Sequence, residues 1–368
     1  MAGIFQNGVW SWGFDFTTSA AQVFTTPPGA STISSGNARF AAQSGAVSNG
    51  ISFTANNWGQ MGLGTQLATM ISGVALNINA LPSVNFINLY TYMDTTTNTP
   101  QLSLTCDSGG VLRFKTNAGF GYNNAGTNVG PASTLLLTPN TWYFIETKVT
   151  IDNTNGFVEC RVNGNTSPVI TASNVDTQQS ANAFTDAVRI GNGGFSGGST
   201  PTMLFDDWNL LDTTGTSPLN TYIGDRKIIT FLPSADSATG GYNTFSTSPS
   251  QSAGNHYLNV NEDPPDDATS YNFSASAGAK ESYQHANLVA ANSIAYVNAW
   301  ARIEKDDASA RTVAITARNG STDVTGTSIN TPTSWTYFNN PFTTDPNTSA
   351  AWGQSGFNTS EFGLTVVS

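Results

Sequence analysis

The chain has 368 residues, 38% of them hydrophobic but only 10% charged, with 13 Lys+Arg against 24 Asp+Glu for a net charge of −11. That length and apolar content allow two domains of ordinary size, each with its own core. So few cations, scattered along the chain, exclude a phosphate-binding partner such as nucleic acid, and no run is long and apolar enough for a membrane-spanning helix.

Ser, Thr, Asn and Gly fill the place of the missing charges, and these residues favour turns and extended chain over helix interiors. Many short strands joined by polar loops are expected, with no helix of any length and no fixed-period repeat. The start, Met1 to Asn7, has neither a basic opening nor an apolar stretch, so no signal peptide is expected. Residues 1–212 read as a first domain. Within it, 101–105 and 111–115 flank an Asp-Ser-Gly-Gly turn. Cys106 and Cys160 each lie in phase with apolar neighbours, which favours buried free thiols over a bridge between neighbouring strands, though both stay open.

The clearest element covers 141–151, where Tyr143, Ile145, Val149 and Ile151 share one face and Trp142, Phe144, Glu146 and Lys148 the other. That second face reads as the wet side of a sheet whose two leading aromatics suit either a partner protein or, nearly as well, cover by a loop of the same domain. A turn at 152–156 returns the chain through Val158, Cys160 and Val162, and Asn163-Gly164 turns it again. The domain closes on Leu204, Asp206, Trp208 and Leu210, all in phase. Residues 213–267 read as a connecting segment with one strand near 226–232 and a stiff Pro/Asp-rich boundary around Pro264-Pro265. A second domain, 268–368, carries alternating strands at 294–303 and 313–318.

Chemistry is sparse. His256 and His285 fall in no metal-ligand spacing and read as surface or loop residues. Gly194 to Gly198 formally matches a nucleophile elbow, but no helix follows it. Asp206 and Asp207 are adjacent, so alternation sends them to opposite faces and defeats joint catalysis. Asp206, pointing inward, must find donors or a cation; backbone N–H groups are preferred over Ca²⁺, for which Asp263 and Asp266 are the further candidates. Catalytic residues and cofactors other than such a cation are not expected. Among aromatics, Trp58, Phe120, Tyr122, Trp142 and Phe144 are candidates for glycan or partner contact, each weighed against plain burial in a core.

The run 141–151 with 158–164 resembles the laminin-G-like, concanavalin A-like jelly roll. Phe205-Asp206-Asp207-Trp208 resembles the last strand of that domain in minor structural proteins of tailed bacteriophages. The stretches 223–226, 263–267, 299–302, 305–307, 344–346, 351–352 and 361–364 are similar to the same proteins, in order along nearly the whole chain. The resemblance implies an all-β chain of two antiparallel β-sandwich (jelly-roll) domains and a structural protein of the virion surface, either capsid decoration or tail and fibre. It transfers no catalytic or binding residue. Weak adhesion to host surface glycans is an added expectation; a dedicated glycan-binding attachment protein is the alternative, and a glycoside-active enzyme the least favoured. The implied partners are other virion proteins and further copies of the chain. Assembly in the host cytoplasm and release by lysis fit the absence of an export signal.

Overall fold

The computed structural model describes residues 9–14, 24–26, 29–54, 57–83, 86–116, 126–192, 201–291 and 293–368. Two-residue alternation drives about half of this chain into short antiparallel strands, and the one α-helix among the described residues, Gln354–Asn358, has five residues. The protein is all-β. It divides into two compact units, residues 1–41 with 48–228 and residues 42–47 with 229–368.

Two antiparallel sheets make the first unit a sandwich. Among the described residues one sheet holds eight strands, ordered Ile170–Val175, Gly156–Val162, Trp142–Thr150, Thr69–Ile78, Met203–Leu211, Gly50–Phe53 and Ser31–Ser34, with Val9–Trp12 beside Met203–Leu211. The other holds six: Thr127–Val129, Leu112–Thr116, Thr99–Asp107, Phe86–Asp94, Thr185–Gly191 and Trp58–Leu67. Their inner faces interlock through aromatics. The Tyr92 hydroxyl lies 2.6 Å from Thr147 Oγ1 of the facing sheet. The rings of Tyr90 and Trp10 meet fully buried Trp208 edge-on, with centroids at 6.2 and 4.8 Å. Each large side chain buried this way contributes about 1.5–3 kcal/mol, so the cluster anchors one sheet to the other. Cys106 and Cys160 are buried free thiols, one in each sheet, and burial pushes both pKa values up.

The 142–162 hairpin folds in the register that alternation dictates, with Val149 opposite Val158 and Lys148 opposite Glu159. Asn163 and Gly164 take positive φ (54° and 69°), the conformation these two residues tolerate best. The expected wet face of the Trp142–Thr150 strand is not wet. Phe144 and Glu146 are buried, and Trp142 is half-buried. Other chain of the same unit meets this face: the N–H groups of Ile223 and Gly224 donate to the Glu146 carboxylate at 3.0 and 3.1 Å, the Tyr222 ring lies 3.9 Å from the Arg161 guanidinium, and the Arg39 guanidinium lies 5.7 Å from the Phe144 ring. Strand alternation carries no information about a second layer supplied by remote chain. For Phe144 and Glu146 the same-domain reading holds, because chain of this unit meets both.

The boundary also differs from expectation. Residues 48–228 belong to the first unit, where the Ile228 N–H donates to Asp207 at 2.7 Å, and residues from Ile229 belong to the second. Pro264-Pro265 lies inside the second unit, beside Asp267, whose carboxylate accepts two bonds from the Arg302 guanidinium. In this unit the main sheet runs Pro233–Asp236, Lys280–His285, Ser360–Val366, Thr312–Asn319 and Thr322–Thr325. The Val297–Ile303 and Thr336–Phe342 pair packs on it, with Ile303, Phe338 and Phe342 meeting Ile315, Ala317 and Trp352 in one core. Both histidines are half-buried. His256 Nδ1 lies 2.8 Å from buried Glu281, and the His285 ring packs on Phe357 at 4.3 Å, where burial lowers its pKa.

Candidate functional site

In the six-stranded sheet of the first unit, the inward side chains are fixed by what they touch. Tyr90 and Tyr92 bond to Trp208 and Thr147 of the facing sheet. Leu89 and Leu104 line an interior gap with Val74, Ile145 and Phe205 from that same sheet. Side chains of successive strand residues alternate, so Thr91, Ser103 and Thr105 point the other way. A bulge between Asn88 and Tyr90 lets both Leu89 and Tyr90 face inward, which returns Asn88 to the outer face with Thr91.

Strand register then aligns five side chains across five strands: Gln60, Arg189, Thr91, Ser103 and Lys115. A shorter parallel row holds Asn88, Thr105 and Arg113. Arg189 Nε donates to Gln60 Oε1 at 2.6 Å, and the Thr91 and Ser103 hydroxyls lie 3.0 Å apart. The Thr105 hydroxyl donates to the Arg113 carbonyl at 3.0 Å, and the Asn88 N–H to Asn192 Oδ1 at 3.2 Å. The hydroxyl residues and Arg189 are buried, whereas Gln60, Arg113 and Lys115 are half-buried. An aromatic ring closes each end of the longer row. The Arg189 guanidinium sits 4.1 Å from the Trp58 centroid, and Lys115 Nζ sits 4.8 Å from that of Phe86.

Burial brings the Arg189 guanidinium down to about 10. Lys115 is lowered by burial and by neighbouring Arg113, with Asp107 acting against both. The two rows themselves contain no carboxylate. Asp107 stands opposite Phe86 at the sheet's end, its Oδ1 accepting the N–H groups of Gly109 and Val111. Asn88, Thr91, Ser103, Thr105 and Arg189 are closed to solvent, so the groups of the array that a ligand can meet are the half-buried Trp58, Gln60, Phe86, Arg113 and Lys115 at its rim.

Of the candidates read from sequence, Trp58 is in this array. Tyr122, Phe120 and the Gly194–Gly198 motif lie outside the described residues. Trp142 and Phe144 belong to the other sheet, and Phe144 is wholly buried, so it is a core residue and not a contact residue. Asp206 is buried and satisfied by N–H groups: Arg39 N–H donates to Oδ2 and Asp207 N–H to Oδ1, both at 2.7 Å. Its neighbour does not point to the opposite face. A bulge over Asp206–Asn209, with Asp207 at φ 51°, swings the Asp207 carboxylate to within 3.5 Å of Arg39 Nη1, and Arg39 also grips Asp225 at 2.7 and 2.9 Å. Asp263 and Asp266 belong to the second unit, where Asp266 Oδ1 accepts the Ser270 N–H and hydroxyl at 2.9 Å. Among the described residues no three His, Cys, Asp or Glu stand close enough to share a metal ion.

Sequence reasoning missed Arg189, Lys115 and Phe86. The alternation Leu112, Arg113, Phe114, Lys115 marks one strand of the array, but the array exists only through pairings between distant strands.

No family model and no curated protein matches the chain. Solved structures do match. The cellulose-induced protein Cip1 is 15% identical with a TM-score of 0.38, over 56% of this chain and 92% of that one. A Trypanosoma rangeli sialidase mutant displaying trans-sialidase activity is 15% identical at 0.34, over 52% of this chain and 28% of the sialidase. The receptor-binding domain of a botulinum neurotoxin C/D mosaic serotype is 9% identical at 0.30, over 51% and 44%. The chain thus spans less than half of the sialidase and of the neurotoxin domain, and these likenesses do not bear on what it binds.

Proposed function

We propose that the chain is a non-enzymatic surface protein of a tailed-phage particle whose first unit holds a saccharide on the outer face of its six-stranded sheet. The observation that carries the adhesive part is the half-buried set Trp58, Gln60, Phe86, Arg113 and Lys115, which rims this face around buried Arg189, Thr91 and Ser103. A sugar offers an apolar ring face to an aromatic and hydroxyls to amides and cations. The row's side chains already bond to one another, so little ordering remains to be done on binding.

The non-catalytic reading is supported by the chemistry of that face. Glycosidases need two carboxylates roughly 5–10 Å apart, and here the rows supply none while Asp107 is engaged by its own turn. Placement on a phage particle is supported by the ordered resemblance of the chain to tailed-phage minor structural proteins, and by its low-charge, Ser/Thr/Asn/Gly-rich composition. Its partners would then be other virion proteins, further copies of itself and host surface glycans.

The test is a glycan array probed with the full chain and with Trp58→Ala, alongside antibody labelling of intact phage particles that encode the protein. Array binding that Trp58→Ala abolishes, with labelled particles, supports the proposal. A silent array removes the adhesive role, and unlabelled particles remove the placement.

A further inference from the structure

We propose that the second unit carries a separate binding site, for a quaternary ammonium group, on the aromatic surface formed by Tyr271, Phe273 and Trp335. This site goes beyond the saccharide reading and does not depend on it.

Local structure explains why these rings face outward. Tyr271–Phe273 pairs with Ser246–Ser248, and alternation sends Tyr271 and Phe273 to one face and Asn272 to the other. Asn272 is tied to the body of the unit: its Nδ2 donates to the His256 carbonyl at 3.0 Å and to the Tyr283 hydroxyl at 2.6 Å. Opposite Tyr271 and Phe273 stand Ser248 and Ser246, too short to cover a ring. The Tyr271 ring has Phe273 at 5.8 Å on its own strand and Trp335, just ahead of the Thr336–Phe342 strand, at 6.3 Å. Phe273 stays 49% exposed, and Tyr271 and Trp335 are half-buried.

Charge complementarity sets the sign of the ligand. Residues 42–47 and 229–368 carry 12 Asp+Glu against 5 Lys+Arg. Glu262, Asp263, Asp266 and Asp267 all fall in the nine residues before Tyr271. Arg302, whose guanidinium donates to both Asp267 oxygens, neutralises one of the four. A cation approaching the rings meets negative potential from their faces and from this acidic stretch, whereas an anion is repelled. The same region already seats one cation on a ring: the Arg302 guanidinium lies 4.8 Å from the centre of Tyr337, two residues beyond Trp335.

Acceptor chemistry then selects a quaternary over a primary ammonium. Asp267 is committed to Arg302, and Asp266 Oδ1 to the Ser270 N–H and hydroxyl, both at 2.9 Å. A primary ammonium gives up hydrogen bonds to water that these engaged carboxylates do not replace. A trimethylammonium group has none to lose, and it rests its methyls on ring faces. Phe273 and Trp335 are tilted by 54° and 59° against Tyr271, so a rounded cation finds ring faces in more than one direction.

The experiment titrates the full chain with choline and follows the indole N–H signal of Trp335, assigned through Trp335→Phe, by NMR. Parallel arms use ethanolamine, phosphocholine and the uncharged alcohol in which a tert-butyl group replaces the trimethylammonium of choline. The expected result is a saturable shift at Trp335 with Trp58 unmoved, and choline bound about tenfold more tightly than each other ligand. Phe273→Leu keeps an apolar side chain at an exposed position but removes the ring, and should weaken choline about threefold or more. Should that variant melt early, the comparison of ligands on the unaltered protein decides alone. The uncharged alcohol bound as tightly as choline would overturn the cationic assignment, and ethanolamine bound as tightly would overturn the quaternary one. Phosphocholine bound as tightly would overturn the charge argument. No saturable shift at Trp335 up to about 100 mM choline would overturn the site itself and leave the saccharide reading, tested at Trp58, standing.

Discussion

The guanidinium carbon of Arg189 lies 4.1 Å from the centre of the Trp58 ring on the adjacent strand. A cation at this distance is held by the ring's negative face, worth about 0.5–2 kcal/mol depending on exposure. The pairing fixes a long side chain and presents it to the sheet face, with Gln60 steadying it from the same strand as Trp58.

Removing that ring should therefore cost binding more than folding. Trp58→Ala is expected to weaken whichever array-selected saccharide the protein binds by about tenfold or more, combining lost stacking with a loosened Arg189. Because Trp58 is only half-buried, the melting temperature should fall by a few degrees at most. Calorimetry and a thermal melt on the same sample check both halves.

On the other sheet the order reverses. Phe144 is fully buried, with the Arg39 guanidinium 5.7 Å from its ring, so Phe144→Ala should destabilise by about 3–5 kcal/mol. Trp142→Ala, at a half-buried position, should cost less than half of that. Denaturant unfolding gives the two values, and neither substitution should change saccharide affinity.

Register in the same strand can be tested by one residue. Val149→Asp places a charge at a fully buried position opposite Val158 and should cost more than about 4 kcal/mol or prevent folding. Lys148→Asp places a like charge opposite Glu159 at a half-buried site and should cost about 1 kcal/mol or less. Equal melting temperatures for the two would mean the register is off by one.

Asp207 supplies a pH signature. Burial pushes its carboxyl up to about 6, with the Ile228 N–H and Arg39 working against that rise. A carboxyl raised on folding contributes stability that is fully present below its unfolded value near 3.8 and is lost as pH rises through the folded value. Asp207→Asn removes this titration while keeping an acceptor for the Ile228 N–H. The melting temperature of the unaltered protein minus that of the variant should accordingly increase as pH is lowered from about 8 to about 5. A difference that stays flat or decreases contradicts the assignment.

Much of the first unit is legible in local pattern. Alternation along 142–162 and the Asn163-Gly164 turn specify a hairpin because strand period and turn conformation are properties of neighbouring residues. What local pattern lacks is anything that depends on remote chain. Glu146 reads as solvent-facing until Ile223, 77 positions later, supplies its N–H. Asp207 reads as facing away from Asp206 until a bulge turns it back. The candidate site suffers most from this limit. Trp58 is visible as an aromatic in a polar stretch, but Gln60 and Arg189, bonded across 129 positions, become one surface only when the strands between them are paired.

The central claim, that the outer face of the six-stranded sheet holds a saccharide, is tested most directly by NMR titration of the full chain with an array-selected sugar. The probes are the indole N–H signals of its eight tryptophans, assigned by single substitution, and the Nε–H signal of Arg189. Saturable shifts at Trp58 and Arg189, with Trp142 and Trp300 unmoved, are the predicted result. Saturation accompanied by shifts at Trp142 or Trp300 and none at Trp58 would contradict the account.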